Sequence, residues 1–189
     1  MKIMRLKILA ASAFVALAAC GEQDAVSATL SAREKAKAEP AMCDTVDPDG
    51  FCGVKFGMSA EEADAAFPGA LVGEPVNDIE SEACFYKRRA DDDYDVLFMF
   101  VDGAFARVDI RSPEIPTVAG AKVGMTLDAV QSLYPGSARK PDFYSAPAEN
   151  LIVDLGGGSF AIFEEDAAGV VTAYRVGVKP AVDYVEGCA

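Results

Sequence analysis

Five cysteines, thirty carboxylates and no histidine bound the chemistry open to this chain of 189 residues. Without an imidazole there is no Ser-His-Asp or Cys-His triad, no His-containing zinc site and no HExxH metalloprotease. The acidic residues cluster in three places. Asp91-Asp92-Asp93-Tyr94-Asp95 offers several oxygens to a hard cation such as Ca²⁺, yet an acidic run between two strand-like segments is also the composition of a solvated turn. Asp44, Asp47, Asp49 and Gly50 have the residue types of a calcium loop in the wrong register, since Thr45 would fall at its first position and Phe56 at its twelfth. Glu164, Glu165 and Asp166 sit in a turn-like run ending at Gly169, whereas glycoside hydrolysis needs two carboxylates held at a set separation across a cleft. Gly156-Gly157-Gly158 lacks the Lys-Ser/Thr and helix that follow a phosphate loop, and reads as a turn. Lys87-Arg88-Arg89, the one basic cluster, is predicted to pair with Asp91–Asp93. With 30 acidic against 17 basic residues the net charge is −13, which excludes nucleic acid as a partner because phosphate binding needs clustered Lys and Arg. No catalytic residue, metal site or cofactor is assigned, and the chain is read as a non-enzyme.

Cys20 is the cysteine with a chemistry of its own. Lys2, Arg5 and Lys7 precede an apolar run from Ile8 to Ala19, which is shorter than the ~20 residues that span a bilayer. A basic segment, a short apolar run and small residues before a cleavage point define an export signal. Leu17-Ala18-Ala19-Cys20-Gly21 resembles the lipobox of bacterial lipoproteins. The resemblance implies cleavage before Cys20 and acylation of its thiol and new α-amine, and so a cell-envelope protein anchored by lipid and facing the periplasm. Gly21 rather than Asp after the Cys favours the outer membrane over the inner. Residues 1–19 are thus read as the signal and 20–42 as the lipidated Cys with a tether rich in Ala, Ser, Glu and Lys, too polar to offset its ordering entropy. The mature chain keeps 14 basic residues against 30 acidic, a net charge of −16, so contact with the membrane is expected through the lipid only.

Cys43, Cys52, Cys84 and Cys188 remain, an even number in an oxidising compartment, which predicts two disulfides. Four cysteines admit three connectivities, and spacing does not choose between them. The preferred assignment joins Cys43 to Cys52 around Asp47-Pro48-Asp49-Gly50, and Cys84 to Cys188 at the chain end.

The elements that position these residues repeat. Residues 53–69 align with 120–136 at a constant offset of 67, with Gly, Lys, Gly, Met, Ser/Thr, an aromatic residue, Pro and Gly coinciding. Ser59 and Thr126 read as helix N-caps, and Glu62 gives only the first a capping box. Ala63, Ala66 and Phe67, like Val130, Leu133 and Tyr134, recur at helical spacing and predict one apolar stripe each, which Pro-Gly then ends. Strand-like runs follow: 83–88, 94–101 and 104–110 in the first copy, with Asp102-Gly103 as a hairpin turn. In the second they are Phe143-Tyr144, 150–155, 159–163 and 170–176. Phe98, Phe100, Phe160 and Phe163 are predicted to pack in the core. The expected fold is α+β: two tandem repeats, 43–117 and 118–189, each a short helix packed on a three- to four-stranded antiparallel sheet.

The Gly-x-x-x-Gly-Met-Ser/Thr motif, amphipathic helix, Pro-Gly and antiparallel sheet resemble the β-lactamase-inhibitor-protein-like fold and the outer-membrane assembly lipoproteins of the SmpA/OmlA type. The resemblance covers about residues 53–178. It implies a scaffold that presents a sheet face or loops to another protein, as a hydrolase inhibitor or an envelope-assembly accessory. The acidity adds that this partner is a basic envelope or secreted protein. The alternative is a carbohydrate- or small-molecule-binding lipoprotein, which a concave pocket lined by Tyr86, Tyr94, Tyr144 or Tyr174 would favour.

Overall fold

Ser59 and Thr126 each start a helix in the structure, a computed structural model that describes residues 43–73, 83–91 and 94–188. Residues 1–42, where the signal, the lipidated Cys20 and the tether are expected, lie outside the described residues, as do Asp92 and Asp93. Helix α1 runs Ala60–Ala66 and α2 runs Leu127–Leu133. Ser59 Oγ accepts from the Glu62 amide at 3.2 Å while the Glu62 carboxylate accepts from the Ser59 amide at 2.8 Å, the reciprocal pair of a capping box. Thr126 makes only its own half, to the Ala129 amide at 3.3 Å.

Before each helix a glycine and a methionine bracket one residue of the sheet. Gly57 donates to the Phe105 carbonyl at 2.8 Å, and the Phe105 amide returns a bond to Met58 at 2.7 Å. Gly124 donates to Val171 at 2.8 Å, and Val171 returns one to Met125 at 2.9 Å. Both glycines hold φ near +90° (93° and 88°), open to a residue without Cβ.

Eleven strands are present among the described residues. β1 (Val46–Asp47), β2 (Gly50–Phe51) and β3 (Val54–Lys55) form a small antiparallel sheet that the sequence reading did not anticipate. The other eight are β4 (Leu71–Val72), β5 (Cys84–Arg89), β6 (Val96–Val101), β7 (Ala104–Ile110), β8 (Ala138–Pro141), β9 (Glu149–Gly156), β10 (Ser159–Glu165) and β11 (Val171–Val178). They make one antiparallel sheet in the order β4-β5-β6-β7-β11-β10-β9-β8. The predicted separate sheets of three or four strands are therefore joined, because β7 pairs with β11 from Arg107↔Gly177 to Ile110↔Tyr174. Joining them removes two edges that would otherwise expose unpaired backbone.

One face of this sheet carries the main core. Phe98, Phe100, Phe105 and Phe163 are fully buried there with Ala63 and Val130 from the helices and Tyr174 from β11. Phe160 departs from the prediction: it is half-buried outside that cluster, with Lys179 Nζ 4.6 Å from its ring centre. Leu133 departs as well, at 40% exposed, and Leu127 fills the core position instead. Phe143 and Tyr144 lie in a loop, and the strand before it is Ala138–Pro141. Asp142 explains the break: its carboxylate accepts from the Tyr144 and Ser145 amides at 2.9 and 2.7 Å, which turns the chain out of the sheet.

Ala at Gly57 or Gly124 meets no atom within 4 Å, so the whole cost is backbone strain. Chemical denaturation of G57A and G124A is expected to show a loss of about 1–2 kcal/mol each.

Candidate functional site

Strand alternation sends polar residues to the face opposite the helices. On β7, Arg107 and Asp109 stand two residues apart and share that face, with Arg107 Nε donating to Asp109 at 3.0 Å. Arg107 is only 3% exposed, and both its terminal nitrogens are engaged: Nη1 reaches the Ala181 and Tyr184 carbonyls at 2.9 and 2.7 Å, and Nη2 the Tyr86 hydroxyl at 2.8 Å. Arg175 on β11, 5% exposed, donates through Nε to the Val182 carbonyl at 2.7 Å and pairs through Nη1 with Glu164. Burial without partners would cost a guanidinium heavily, and every bond named here offsets that cost.

The carbonyls these arginines hold belong to the C-terminal segment. A 3₁₀ turn at Ala181–Asp183 packs on β7, β10 and β11. The segment then crosses the sheet face as a strap and ends at the Cys84–Cys188 disulfide, whose Cα atoms are 5.4 Å apart. Under the strap lies a second, smaller apolar cluster of Met99, Ala106 and Ala181 packed by Tyr86, Val178 and Tyr184. Cys43 is joined to Cys52 beside the small sheet.

Two cavities meet at the strap, and Val185, Glu186 and Gly187 line both. The polar one, about 310 Å³, has Tyr86, Arg107, Asp109, Arg111, Glu164 and Arg175 in its walls. Burial, with Asp109 nearby, pushes the Tyr86 phenol up to about 12, so it stays protonated at neutral pH. The other cavity, about 450 Å³, lies between the strap and the loop carrying Phe143 and Tyr144, with Tyr184 and the Cys84–Cys188 bridge in its wall. Phe143 is 74%, Tyr144 63% and Val185 50% exposed, and all three line it. The Phe143 and Tyr144 rings stand at 78° with centres 4.7 Å apart. Tyr144 donates its hydroxyl to Glu186 across the opening, which raises the tyrosine pKa above its ordinary value.

The other residues singled out in the sequence are dispersed. Lys87 turns to the helix side and meets Asp64 of α1 at 2.6 Å, while Asp92 and Asp93, most of the acidic run expected to pair with residues 87–89, lie outside the described residues. Arg88 lies over the Tyr94 ring at 5.1 Å. Lys55 donates to Asp49 at 2.7 Å and lies 3.7 Å from Asp47, so a lysine supplies the positive charge in the loop whose composition suggested calcium. Gly156–Gly158 form the β9–β10 turn, all three with positive φ. Glu164 and Glu165 continue β10 rather than its turn, and Asp166 alone caps the turn by accepting from Ala168 and Val170. Of the four tyrosines considered for a pocket, Tyr144 lines the apolar cavity, and Tyr86 and Tyr174 the polar one. Tyr174 buries its ring in the core, with its hydroxyl donating to the Ile115 carbonyl at 2.9 Å. The arginine network went unnoticed in the sequence, although opposite charges two apart in an apolar strand, Arg107 and Asp109, are its signature.

No protein-family profile and no curated protein matches the chain. Among solved structures it resembles the uncharacterized protein yfeY from Escherichia coli, at 14% identity and a TM-score of 0.49 over 70% of this chain and 99% of that one. It also resembles an extracellular protein containing a SCP domain from Bacillus anthracis, at 11% identity and a TM-score of 0.48; the match covers 76% of this chain and 48% of that protein. A DUF4309 family protein, YjgB, from Bacillus subtilis matches at 12% identity and 0.41, over 64% of this chain and 78% of that one.

The two disulfides differ in what they hold. Cys84–Cys188 closes a separation of 104 residues and Cys43–Cys52 one of 9. On chain entropy, Ser at both members of the long-range pair is expected to cost about 4–5 kcal/mol in denaturant unfolding, against about 2–3 for the short pair. Only the first should also free the strap, read as faster amide exchange over residues 181–188.

Proposed function

We propose that this chain is a lipid-anchored, non-enzymatic protein of the bacterial cell envelope that binds a basic envelope or secreted protein. The observation that carries the binding reading is the exposed aromatic wall of Phe143 and Tyr144 beside Glu186. Large apolar side chains this exposed, gathered around one concavity, are what interaction sites present, and aromatic anchors dominate binding energy where they occur. The net charge of −13 selects for a basic partner and speeds its approach. The non-enzymatic half is supported by the polar cavity, where Asp109 and Glu164 are each paired with an arginine. Cleavage before Cys20 and its acylation would fix the protein to its membrane, with the outer membrane as the favoured site. More than one acyl chain is enough for stable anchoring.

The two halves of the sheet are, on this reading, tandem copies of one unit in the manner of the β-lactamase-inhibitor-protein-like fold. Support comes from the 67-residue offset, the Ser59 and Thr126 caps, and the paired brackets of Gly57-Met58 on Phe105 and Gly124-Met125 on Val171. The strand order, running inward through β4 to β7 and outward through β11 to β8, agrees with a duplication about the β7–β11 seam. Hydrolase inhibition and envelope assembly are the two forms the partnership takes. A second reading, a small-molecule or carbohydrate site, is favoured by the concavity itself.

Anchoring predicts that cells fed labelled palmitate transfer it to the wild-type chain and not to C20S; equal labelling of both would refute it. For binding, the lipidated full chain in maltoside micelles is immobilised against envelope extract at low and moderate salt. One basic protein should be retained, released by moderate salt, and lost with the F143A/Y144A pair. Retention indifferent to both salt and the double substitution would overturn the reading.

A further inference from the structure

The corner formed by Phe143, Tyr144 and Glu186 has the parts of a site for one side chain. Two rings at 78°, with centres 4.7 Å apart, line the same cavity. A carboxylate is tied to the second ring by the Tyr144 hydroxyl. A sugar stacks on an open ring with polar groups around its rim, and a crossed pair offers a corner in place of that platform. Ring faces are negative and attract cations, and a carboxylate at the ring's edge adds a full charge to the same spot.

Other rings show that the fold uses this contact. Arg88 lies over Tyr94 at 5.1 Å and Lys179 over Phe160 at 4.6 Å, so those rings already hold a cation from the chain itself. Among the described residues, no lysine or arginine is placed over Phe143, Tyr144 or Tyr184, and none forms an ion pair with Glu186. The arginines of the neighbouring cavity are committed elsewhere: Arg107 to Asp109 at 3.0 Å, Arg175 to Glu164, and Arg111 to the Tyr94 carbonyl at 3.3 Å.

We infer that this corner is an arginine-binding site, which takes the guanidinium of an arginine on the basic partner. The inference rests on the reading of this cleft as the binding surface. Arginine fits better than lysine because its guanidinium is planar. It stacks flat on a ring while its fork donates to a carboxylate in the same plane, which a rounded ammonium cannot do at once. The net charge of −13 further concentrates cations at the opening.

The test is an NMR titration of the full chain in dodecyl maltoside, whose headgroup carries no cation to compete. The probes are N-acetyl-arginine methylamide, its lysine counterpart, and the citrulline counterpart, which keeps arginine's shape without its charge. Arginine should shift the ring signals of Phe143 and Tyr144 and saturate in the millimolar range, lysine should bind more weakly, and citrulline should leave the spectrum unchanged. E186Q should weaken arginine binding about fivefold, and F143A/Y144A should abolish it. These side chains are exposed, so unchanged thermal unfolding of the variants would show that the fold survives. Equal shifts from citrulline, or shifts centred away from residues 143–144 and 184–187, would overturn the site. The outcomes separate from those of the capture experiment. Arginine binding with no protein retained would sustain the site and sink the protein-partner reading. A protein retained by the chain, but equally well by F143A/Y144A and E186Q, would sink the site alone.

Discussion

Between β7 and β11 the two backbones come so close that a Cβ on Gly177 would lie 2.5 Å from the Ala106 carbonyl oxygen and 2.9 Å from Arg107 Cβ. Glycine at this position lets the inner strands of the two halves pair, and with them the whole eight-stranded sheet. The same vacancy beside Gly177 leaves room for Arg107 to rise from β7 and reach the strap. A single small residue thus connects the sheet, the buried arginine and the C-terminal cover. The core on the helix face depends on it in turn, since Val108 and Ile110 of β7 and Tyr174 and Val176 of β11 bury together only when those strands are adjacent.

The strap is held by an unusual balance of terms. Its apolar contribution is small, a cluster around Met99, Ala106 and Ala181. Guanidinium bonds to three of its carbonyls and one disulfide supply the rest. Hydrogen bonds from charged donors are about twice as strong as neutral ones and are directional, so they fix where the strap crosses as well as that it crosses. Arg107 and Arg175 are consequently better explained as positioning groups for residues 181–188 than as ligands' partners. The register they set puts Val185 and Glu186 at the edge of the apolar cavity.

Local rules in the sequence carried the helices well. Ser59 with Glu62, and Thr126 without a counterpart, predict one full and one half capping motif, which is what the structure contains. Asp102-Gly103 makes its hairpin with φ of 50° and 81°, and the preferred cysteine pairing is the one present. Two of the failures depend on residues far apart in the chain, and a third is local. Pairing of β7 with β11 is set by a glycine that reads locally as a weak strand residue. Lys87 reads as a partner for the nearest acidic run, yet the strand pleat carries it to Asp64, 23 residues away. Phe143-Tyr144 has strand composition, and the Asp142 carboxylate overrides that propensity by accepting from the Tyr144 and Ser145 amides at short range.

That last failure bears on the proposed binding surface. Aromatic residues expelled from a strand would ordinarily fold back onto the nearest apolar surface, because exposing them forgoes the burial that stabilises the rest of the fold. Phe143 and Tyr144 do not, and the geometry shows what holds them out. Asp142 anchors the start of the loop to its own backbone and to Asn150 at 3.2 Å, while Tyr144 is drawn toward Glu186 on the strap. Each anchor is polar, and neither covers a ring. On the proposed binding role, polar bonds that already hold the loop with its rings unburied would reduce the cost of ordering it. The strap takes part in this preorganisation through Glu186, so the disulfide and the buried arginines far from the loop help determine the shape of the aromatic corner.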